Sequence, residues 1–118
     1  YNLASIETGV SLAAFDEDKL KGNLLMRRAK IGEIFLGIGM EKPRALQGGE
    51  IIIVDDEKII AIYPYRDAEN TKVMLSTTNI QLMTCGVPGI SPQLLLDAQK
   101  VATNYITKFC DGSLVPFR

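Results

Sequence analysis

Histidine is absent from this 118-residue sequence, and cysteine occurs only twice, as Cys85 and Cys110. The two cysteines are far apart in the chain and form no CxxC motif, so a zinc cage and a Cys–His nucleophilic pair are excluded. Both stand in apolar stretches, which is typical of inert buried thiols. We expect a reducing, cytoplasmic compartment and no metal or other cofactor.

An excess of charge of either sign is also lacking. Thirteen basic and fourteen acidic residues give a formal net charge of −1 and a pI near 5.4. A domain that binds nucleic acid by its overall charge is strongly basic. Contact with RNA must therefore be local, and we expect no DNA partner.

Long apolar runs and complete nucleotide or hydrolase motifs are missing too. The longest apolar runs are short, such as 51–54, whereas a membrane-spanning helix needs about 20 residues. We therefore expect no membrane segment, no signal peptide and no membrane partner. Gly37-Ile38-Gly39 lacks the third glycine of a dinucleotide fingerprint, and the sequence has neither a Walker A motif nor a GxSxG elbow.

The size of the chain fits a single domain, and we assign residues 1–118 to one. Its first residue is Tyr1 rather than methionine, which leaves open a missing leading segment of the same fold. The pattern in Asn2–Phe15 predicts extended chain with a turn at Thr8-Gly9. Asp16 then predicts an N-cap for a short helical turn through Lys21 that ends at Gly22.

Two apolar clusters separated by Ile31-Gly32, at Leu24–Ala29 and Glu33–Ile38, favour two strands. A helix over residues 23–30 is the alternative for the first of them. Glycines and Pro43 concentrate in Gly37–Gly49, which predicts a long loop.

The clearest local pattern is a pair of β-branched runs, Ile51–Val54 and Ile59–Tyr63, around a polar turn. It predicts a β-hairpin at about 50–63 with both faces covered. Asn79–Cys85 reads as another buried strand. Ser91 as N-cap and Pro92 as first helical residue predict a long C-terminal helix at about 92–110 whose apolar face packs on a sheet. The fold class is therefore α+β, with a mixed-sheet or barrel-like core of five or six strands.

The densest polar stretch, Tyr65–Lys72, follows a strand directly and is the leading site candidate. Arg66 can hold a carboxylate or phosphate bidentately, Lys72 adds a point charge, and the Thr71 hydroxyl can donate or accept. The alternative is that Arg66 and Asp67 pair with neighbours to fix the loop.

Other polar residues could assist such a site. Thr78 and Asn79, with Thr77, could orient a water or a ribose hydroxyl, although hydrogen bonding at a turn explains them as well. A local basic patch for RNA could combine 27–30 with Lys42 and Arg44, or these could form a solvated face. The carboxylates that could act as a general base or serve in turns are Glu33, Glu50 and Asp55.

In this order along the chain, the motifs resemble the B3/B4 domain of phenylalanyl-tRNA synthetase beta subunits. The motifs are Asp16–Gly22, Arg28-Ala29, Gly32–Phe35, Gly49-Glu50 with Asp55, Arg66-Asp67, Thr71-Lys72 and Thr78-Asn79. The stretch Asn70-Thr71-Lys72 with Thr78-Asn79 also resembles the corresponding segment of the archaeal and eukaryotic-type subunits. The resemblance implies an α+β domain that hydrolyses tyrosine wrongly attached to phenylalanine tRNA, with tRNA or aminoacyl-tRNA as partner.

The sequence also departs from that family. The bacterial editing pocket uses a histidine and a glycine-rich segment with a glutamate, which have no counterpart here, so the resemblance transfers no catalytic residue. The first hypothesis is an editing hydrolase that acts in trans, with substrate-binding residues Arg66, Asp67, Thr71, Lys72, Thr78 and Asn79. The second is a non-catalytic module for RNA, an amino acid or a small anion, and the third is a domain that binds another protein.

Overall fold

The computed structural model describes residues 1–115, which form two compact units. The first unit joins Tyr1–Ala14 to the described chain from Leu82 onward, and the second is the continuous segment Phe15–Gln81. The regular elements are α1 (Asn2–Thr8), β1 (Ser11–Asp16), β2 (Leu25–Arg28), β3 (Ile34–Phe35), β4 (Arg44–Ala45), β5 (Ile51–Val54), β6 (Ile59–Ile62), β7 (Arg66–Asp67), β8 (Ile80–Cys85) and α2 (Pro92–Phe109). Two 3-10 turns, Glu17–Lys19 and Glu69–Thr71, complete the set.

The second unit is built around a four-stranded antiparallel sheet in the order β2-β5-β6-β7. The predicted hairpin is confirmed as β5 and β6, with Ile52 opposite Ile62 and a bulge between Ile53 and Val54. Three successive residues of each strand, 52–54 and 60–62, are buried, so both faces of the hairpin are covered as expected. The first apolar cluster is confirmed as strand β2, not a helix.

The region predicted as a loop, Gly37–Gly49, contains a short strand. β4 pairs antiparallel with β3, with Phe35 opposite Arg44, so the loop prediction is wrong for these residues. β3 is itself shorter than the predicted strand and keeps only Ile34 and Phe35. Two residues flanked by glycines and a proline carry too little local pattern to reveal a strand, because its formation depends on the partner.

The core of the second unit packs beneath this sheet and against β3. Its buried members are Ala29, Phe35, Leu46, Ile52, Val54, Ile62 and Ala68. The N-cap at Asp16 is confirmed, since its Oδ1 accepts a hydrogen bond from the Asp18 amide at 3.1 Å. The helical turn is shorter than predicted and ends at Lys19.

The first unit corrects one prediction and confirms another. Asn2–Thr8 is helix α1 and not extended chain, although the predicted break is present as Gly9 in the left-handed conformation. α2 has the predicted N-cap, where Ser91 Oγ accepts from the Leu94 amide. It packs through Ala102, Val101 and Tyr105 against Ala4 of α1, Leu12 of β1 and Leu82 of β8.

β8 confirms the predicted strand, but only Cys85 in it is buried. It pairs with β1 in a two-stranded sheet. The α+β class is confirmed, with three open sheets and no closed barrel among residues 1–115. No helix in the described part of the chain is both long and apolar enough to cross a bilayer.

Candidate functional site

The segment that holds four of the six expected site residues is fixed by backbone hydrogen bonds on two sides. On one side the amide of Ala68 donates to Ile60 of β6 at 2.8 Å. On the other, the Ile38 amide donates to the Asp67 carbonyl and the Glu69 amide donates to the Leu36 carbonyl, each at 2.9 Å. β7 and the turn after it are therefore held between β6 and the chain that follows β3.

Arg66 is fixed by two contacts that leave its charge unpaired. Its Nη1 donates to the Ile38 carbonyl at 3.0 Å, and its guanidinium lies 5.1 Å from the centre of the Tyr65 ring. Arg44 approaches the same ring at 5.5 Å. Within the described residues, Arg66 forms no ion pair with Asp67 or any other carboxylate.

The Asp67 carboxyl is half-buried, and nothing in residues 1–115 donates a hydrogen bond to it. Burial raises its pKa above the ordinary value, because the charged form loses hydration without gaining a partner. Thr71 is fully buried, and its Oγ1 is also without a hydrogen-bond partner in the described chain. Lys72, by contrast, is paired with the Glu69 carboxylate.

Thr78 and Asn79 precede β8 and belong to a second group of contacts. The Asn79 side-chain amide donates to Asp18 Oδ1 at 3.2 Å, and Thr77 Oγ1 donates to Asp16 Oδ2 at 2.9 Å. Thr78 itself is exposed and its hydroxyl makes no bond within the described region. The Glu17–Lys19 turn lies beside the Glu69–Thr71 turn, so the two groups occupy one region of the second unit.

A groove of about 490 Å³ opens beside the β7 segment, and none of the six expected residues lines it. Asn70, which lies between Glu69 and Thr71, belongs to the segment after β7 and also lines the groove. The lining residues are Arg27, Glu33, Ile34, Phe35, Leu36, Val54, Asp55, Asp56, Glu57, Lys58, Ile59 and Asn70. The volume lies within the usual range of small-molecule sites.

At one wall of the groove, Arg27 forms an ion pair with Glu33. Its two Nη atoms contact the two carboxylate oxygens at 2.9 and 2.6 Å, and the Lys30 amide donates to Glu33 Oε2 at 2.7 Å. The hydrogen bonds from Arg27, and after them the hydrogen bond from the Lys30 amide, lower the pKa of the Glu33 carboxyl to about 2. Arg27 is therefore held in an ion pair with Glu33.

The hairpin turn at the opposite wall is organised by the buried Asp55. Its carboxylate accepts from the amides of Lys21, Glu57 and Lys58 and from Lys58 Nζ at 2.5 Å. Burial alone would raise its pKa, but the Lys58 ammonium and these amides outweigh burial and hold the pKa below its ordinary value. The neighbouring carboxylates of Asp56 and Glu57 are exposed and have no ion-pair partner in the described residues.

The groove thus combines an apolar wall with two carboxylates, those of Asp56 and Glu57, that form no ion pair within the described residues. Ile34 and Ile59 contribute accessible aliphatic surface. Such a site suits a ligand with a cationic group next to an apolar group. The sequence signalled these residues only as the polar turn of the hairpin and as isolated carboxylates, because their convergence depends on the pairing of β2 with β5.

The residues of the predicted basic patch have different partners. Arg27 is paired with Glu33, whereas Arg28 Nη1 donates to the Gly49 carbonyl at 3.1 Å. Arg44 lies over Tyr65, and Lys30 and Lys42 are exposed. The cationic residues that remain unpaired near the candidate segment are Arg44 and Arg66.

Comparison with protein families finds a match over nearly the whole chain. The sequence profile of the family described as the B3/4 domain matches residues 1–111. Among curated proteins, the phenylalanine–tRNA ligase beta subunit of Fusobacterium nucleatum is 40% identical over 80 residues, which cover 67% of the chain and 10% of that subunit. The corresponding subunit of Protochlamydia amoebophila is 40% identical over 82 residues, which cover 69% of the chain and 10% of that subunit.

A longer alignment joins the chain to the beta subunit of Francisella tularensis, at 29% identity over 138 positions, covering 98% of the chain and 17% of the subunit. The chain therefore spans between about a tenth and a sixth of the length of these relatives. Among solved structures, an N-terminal fragment of the phenylalanyl-tRNA synthetase beta subunit from Pyrococcus horikoshii superposes with a TM-score of 0.64. At 15% identity, and with 97% of the chain and 50% of the fragment covered, that likeness shows a shared fold.

Proposed function

The chain belongs to the B3/4 domain family, and from this we propose that it acts on aminoacyl-tRNA in trans, hydrolysing the ester of a wrongly attached amino acid. The relatives that it matches are named as beta subunits of phenylalanine–tRNA ligase. The proposal takes residues 1–118 as one B3/4-like domain. It assigns the chain a single hydrolytic step and no part in charging tRNA.

The observation that carries this proposal is the composition of the groove. The amino-acid end of an aminoacyl-tRNA presents an α-ammonium group next to a side chain and an ester carbonyl. Asp56 and Glu57 offer carboxylates to the ammonium, and Ile34 and Ile59 offer apolar surface to the side chain. The volume of about 490 Å³ admits an amino acid as large as an aromatic one.

The tRNA end is assigned to the β7 segment and its neighbours. Arg66 supplies positive charge for phosphate, and Asp67 supplies an acceptor for a ribose hydroxyl. Lys72, whose ammonium is paired with the Glu69 carboxylate, supplies a further donor. Thr78 and Asn79 supply further donors from the adjacent loop, and Thr71, whose buried hydroxyl has no partner in the described chain, belongs to the same proposed set. Asn70 supports this division, because it lines the groove and belongs to the same turn as Thr71.

The reaction needs no histidine. The oxygen of a water molecule attacks the ester carbonyl carbon, the bond from that carbon to the ribose oxygen breaks, and the ribose oxygen takes up a proton. The products are the free amino acid and a tRNA with its hydroxyl restored. Orientation of the water by amide, hydroxyl and backbone groups is the chief protein contribution, since the ester is already reactive.

The proposal is tested by incubating the protein with tRNAs charged with different amino acids and following release of each amino acid. We expect release above the uncatalysed rate for at least one of them. Glu57→Gln and Asp56→Asn should raise the substrate concentration needed for half-maximal rate, because they remove the charge that faces the ammonium. Glu41→Gln, an exposed change outside the groove, is the matched control and should behave as the unaltered protein.

Absence of release from every charged tRNA tested would remove the hydrolytic function. Retained binding of aminoacyl-tRNA or free amino acid in that case would identify the non-catalytic binding module. Loss of both would leave a domain that binds another protein.

A further inference from the structure

Two guanidinium groups share one exposed aromatic ring on the second unit. Tyr65 stands in the turn between β6 and β7 and is 55% exposed. The guanidinium carbon of Arg66 lies 5.1 Å and that of Arg44 lies 5.5 Å from its ring centre. We refer to these three residues as the Arg44–Tyr65–Arg66 cluster.

The cluster is held in place by the backbone around it. Arg44 belongs to β4 and is paired with Phe35, whereas Arg66 belongs to β7 and is paired with Ile62. The Arg66 side chain crosses directly over Gly37, where an added Cβ would lie 2.4 Å from Arg66 Cδ. Its Nη1 then reaches the Ile38 carbonyl. Both cationic groups are therefore preorganised by strands and not by flexible loops alone.

The positive charge of the cluster is not neutralised within the described chain. Neither Arg44 nor Arg66 makes an ion pair there. Glu50 is close enough for Arg44 to lower its pKa, but hydrogen bonds from Gln47 and other backbone amides do so first, and its oxygens are taken by the amides of Gln47 and Gly48. Two like charges at one ring repel each other, so a bound anion would be favoured there.

The shape of the surface decides which anion fits. The cluster does not line the groove, and its ring is open to solvent. An exposed, shallow site favours an extended ligand over a small ion. Guanidinium groups hold phosphate bidentately, and both tyrosine rings and guanidinium planes stack on unpaired bases.

We propose that the Arg44–Tyr65–Arg66 cluster is a binding surface for single-stranded RNA, with the guanidiniums on the phosphates and a base stacked on the cluster. The inference rests on the proposed function for its choice of tRNA, and it locates the contact with the unpaired end of the acceptor strand. With a net charge of −1, the chain would bind RNA through a local contact of this kind and not through its overall charge.

The test is fluorescence anisotropy with a labelled single-stranded RNA of acceptor-end sequence, measured over a series of salt concentrations. Arg44→Gln and Arg66→Gln should each weaken binding and make the plot of log affinity against log salt shallower by about 0.7, the value for one phosphate contact in a single strand. Tyr65→Ala should weaken binding roughly tenfold with a smaller change of slope. Lys100→Gln, which removes an exposed charge from α2, is the control and should leave both quantities unchanged.

Four results would overturn the inference: no binding by the unaltered protein at low salt, unchanged binding by the Arg44→Gln variant, unchanged binding by the Tyr65→Ala variant, or an equal loss with Lys100→Gln. If the Arg66→Gln change disturbs β7, the Arg44→Gln variant still tests the inference, because Arg44 is exposed and its side chain donates no hydrogen bond in the described region. Deacylation assayed separately with excess protein distinguishes the two failures. If the unaltered protein releases the amino acid and the variants bind RNA with unchanged affinity, only this surface is rejected. If the variants lose RNA affinity but the unaltered protein releases no amino acid, only the hydrolytic function is rejected.

Discussion

At the scale of single residues, Glu33 shows how an ion pair at the wall of the groove lowers the pKa of a carboxyl and stabilises the fold. Its carboxylate is held by Arg27 and by the Lys30 amide, and its pKa of about 2 lies below the ordinary value of 4.5. A depressed carboxyl pKa stabilises the fold above the ordinary pKa and stops doing so as the pH falls through the depressed value. The pair therefore stabilises the second unit at neutral pH and fails in acid.

We predict that Glu33→Gln lowers the urea midpoint at neutral pH, and that the difference from the unaltered protein shrinks as the pH falls from 4.5 to 2. The midpoint followed by circular dichroism across this range measures the effect. Glu41→Gln should show the same pH dependence as the unaltered protein. Parallel curves for Glu33→Gln and the unaltered protein would mean that the pair does not contribute.

Thr71 presents the opposite case, because its buried hydroxyl forms no hydrogen bond in the described chain. Because its Oγ1 has no partner in the described chain, Thr71→Val should leave the free energy of unfolding unchanged or raise it by up to about 1 kcal/mol. Thr71→Ser, which keeps the hydroxyl and loses a methyl group, should lower it by about 1 kcal/mol. Urea unfolding measures both, and a larger loss in the valine variant than in the serine variant would contradict the assignment.

The sequence located polar side chains better than it located their partners. Asp16 as an N-cap followed from local spacing, since its bond reaches only two residues along the chain. The groove did not follow, because the Arg27–Glu33 pair and the Lys21 amide on Asp55 require chain segments that come together only in the fold. The six expected substrate-binding residues remain a prediction.

At the scale of elements, Gly37 controls how β7 meets the chain after β3. A Cβ there would lie 2.4 Å from Arg66 Cδ and 2.9 Å from Phe35 Cε1, closer than atoms can approach. Gly37→Ala should therefore lower the free energy of unfolding by about 1 to 3 kcal/mol and displace the Arg66 side chain.

The double variant Gly37→Ala/Arg66→Ala provides the control, measured by urea unfolding of all four proteins. It should be less destabilised than the sum of its single variants, because removing Arg66 removes one of the two clashes. Strict additivity would show that Arg66 does not occupy the space over Gly37.

Elements with strong local patterns were predictable, and those that depend on tertiary contacts were not. The β5–β6 hairpin and α2 have β-branched runs or caps within a few residues, and the structure confirms both. α1 has only seven residues and no side-chain cap at Tyr1. Its helix depends on packing of Ala4 against Leu12 and Ala102, which no local pattern reports.

At the scale of the whole molecule, each unit contains a hydrophobic cluster of its own, which allows a regional prediction. Deleting residues 2–8 removes Ala4 and the Glu7 carboxylate that accepts from the Tyr105 hydroxyl at 2.6 Å. Backbone amides of α2 should then exchange with solvent roughly tenfold faster or more, whereas those of β5 and β6 should not change.

Hydrogen exchange followed by mass spectrometry measures both regions in one sample. Ile6→Ala, at a side chain that is 81% exposed, is the matched control and should leave α2 protected. An equal acceleration in β5 and β6 would show that the units unfold together. The sequence predicted the α+β class and the family, whereas the division into two units arises from contacts that join the beginning of the chain to α2 and has no local pattern.

That division has a consequence for how such domains diversify. The segment Phe15–Gln81, which carries the groove and the Arg44–Tyr65–Arg66 cluster, is one uninterrupted stretch of chain. It enters through β1 and leaves through β8, two strands that are hydrogen-bonded neighbours. A single genetic exchange of this stretch between relatives would replace the groove and the cluster together while the helices α1 and α2 and their shared core stayed as they were.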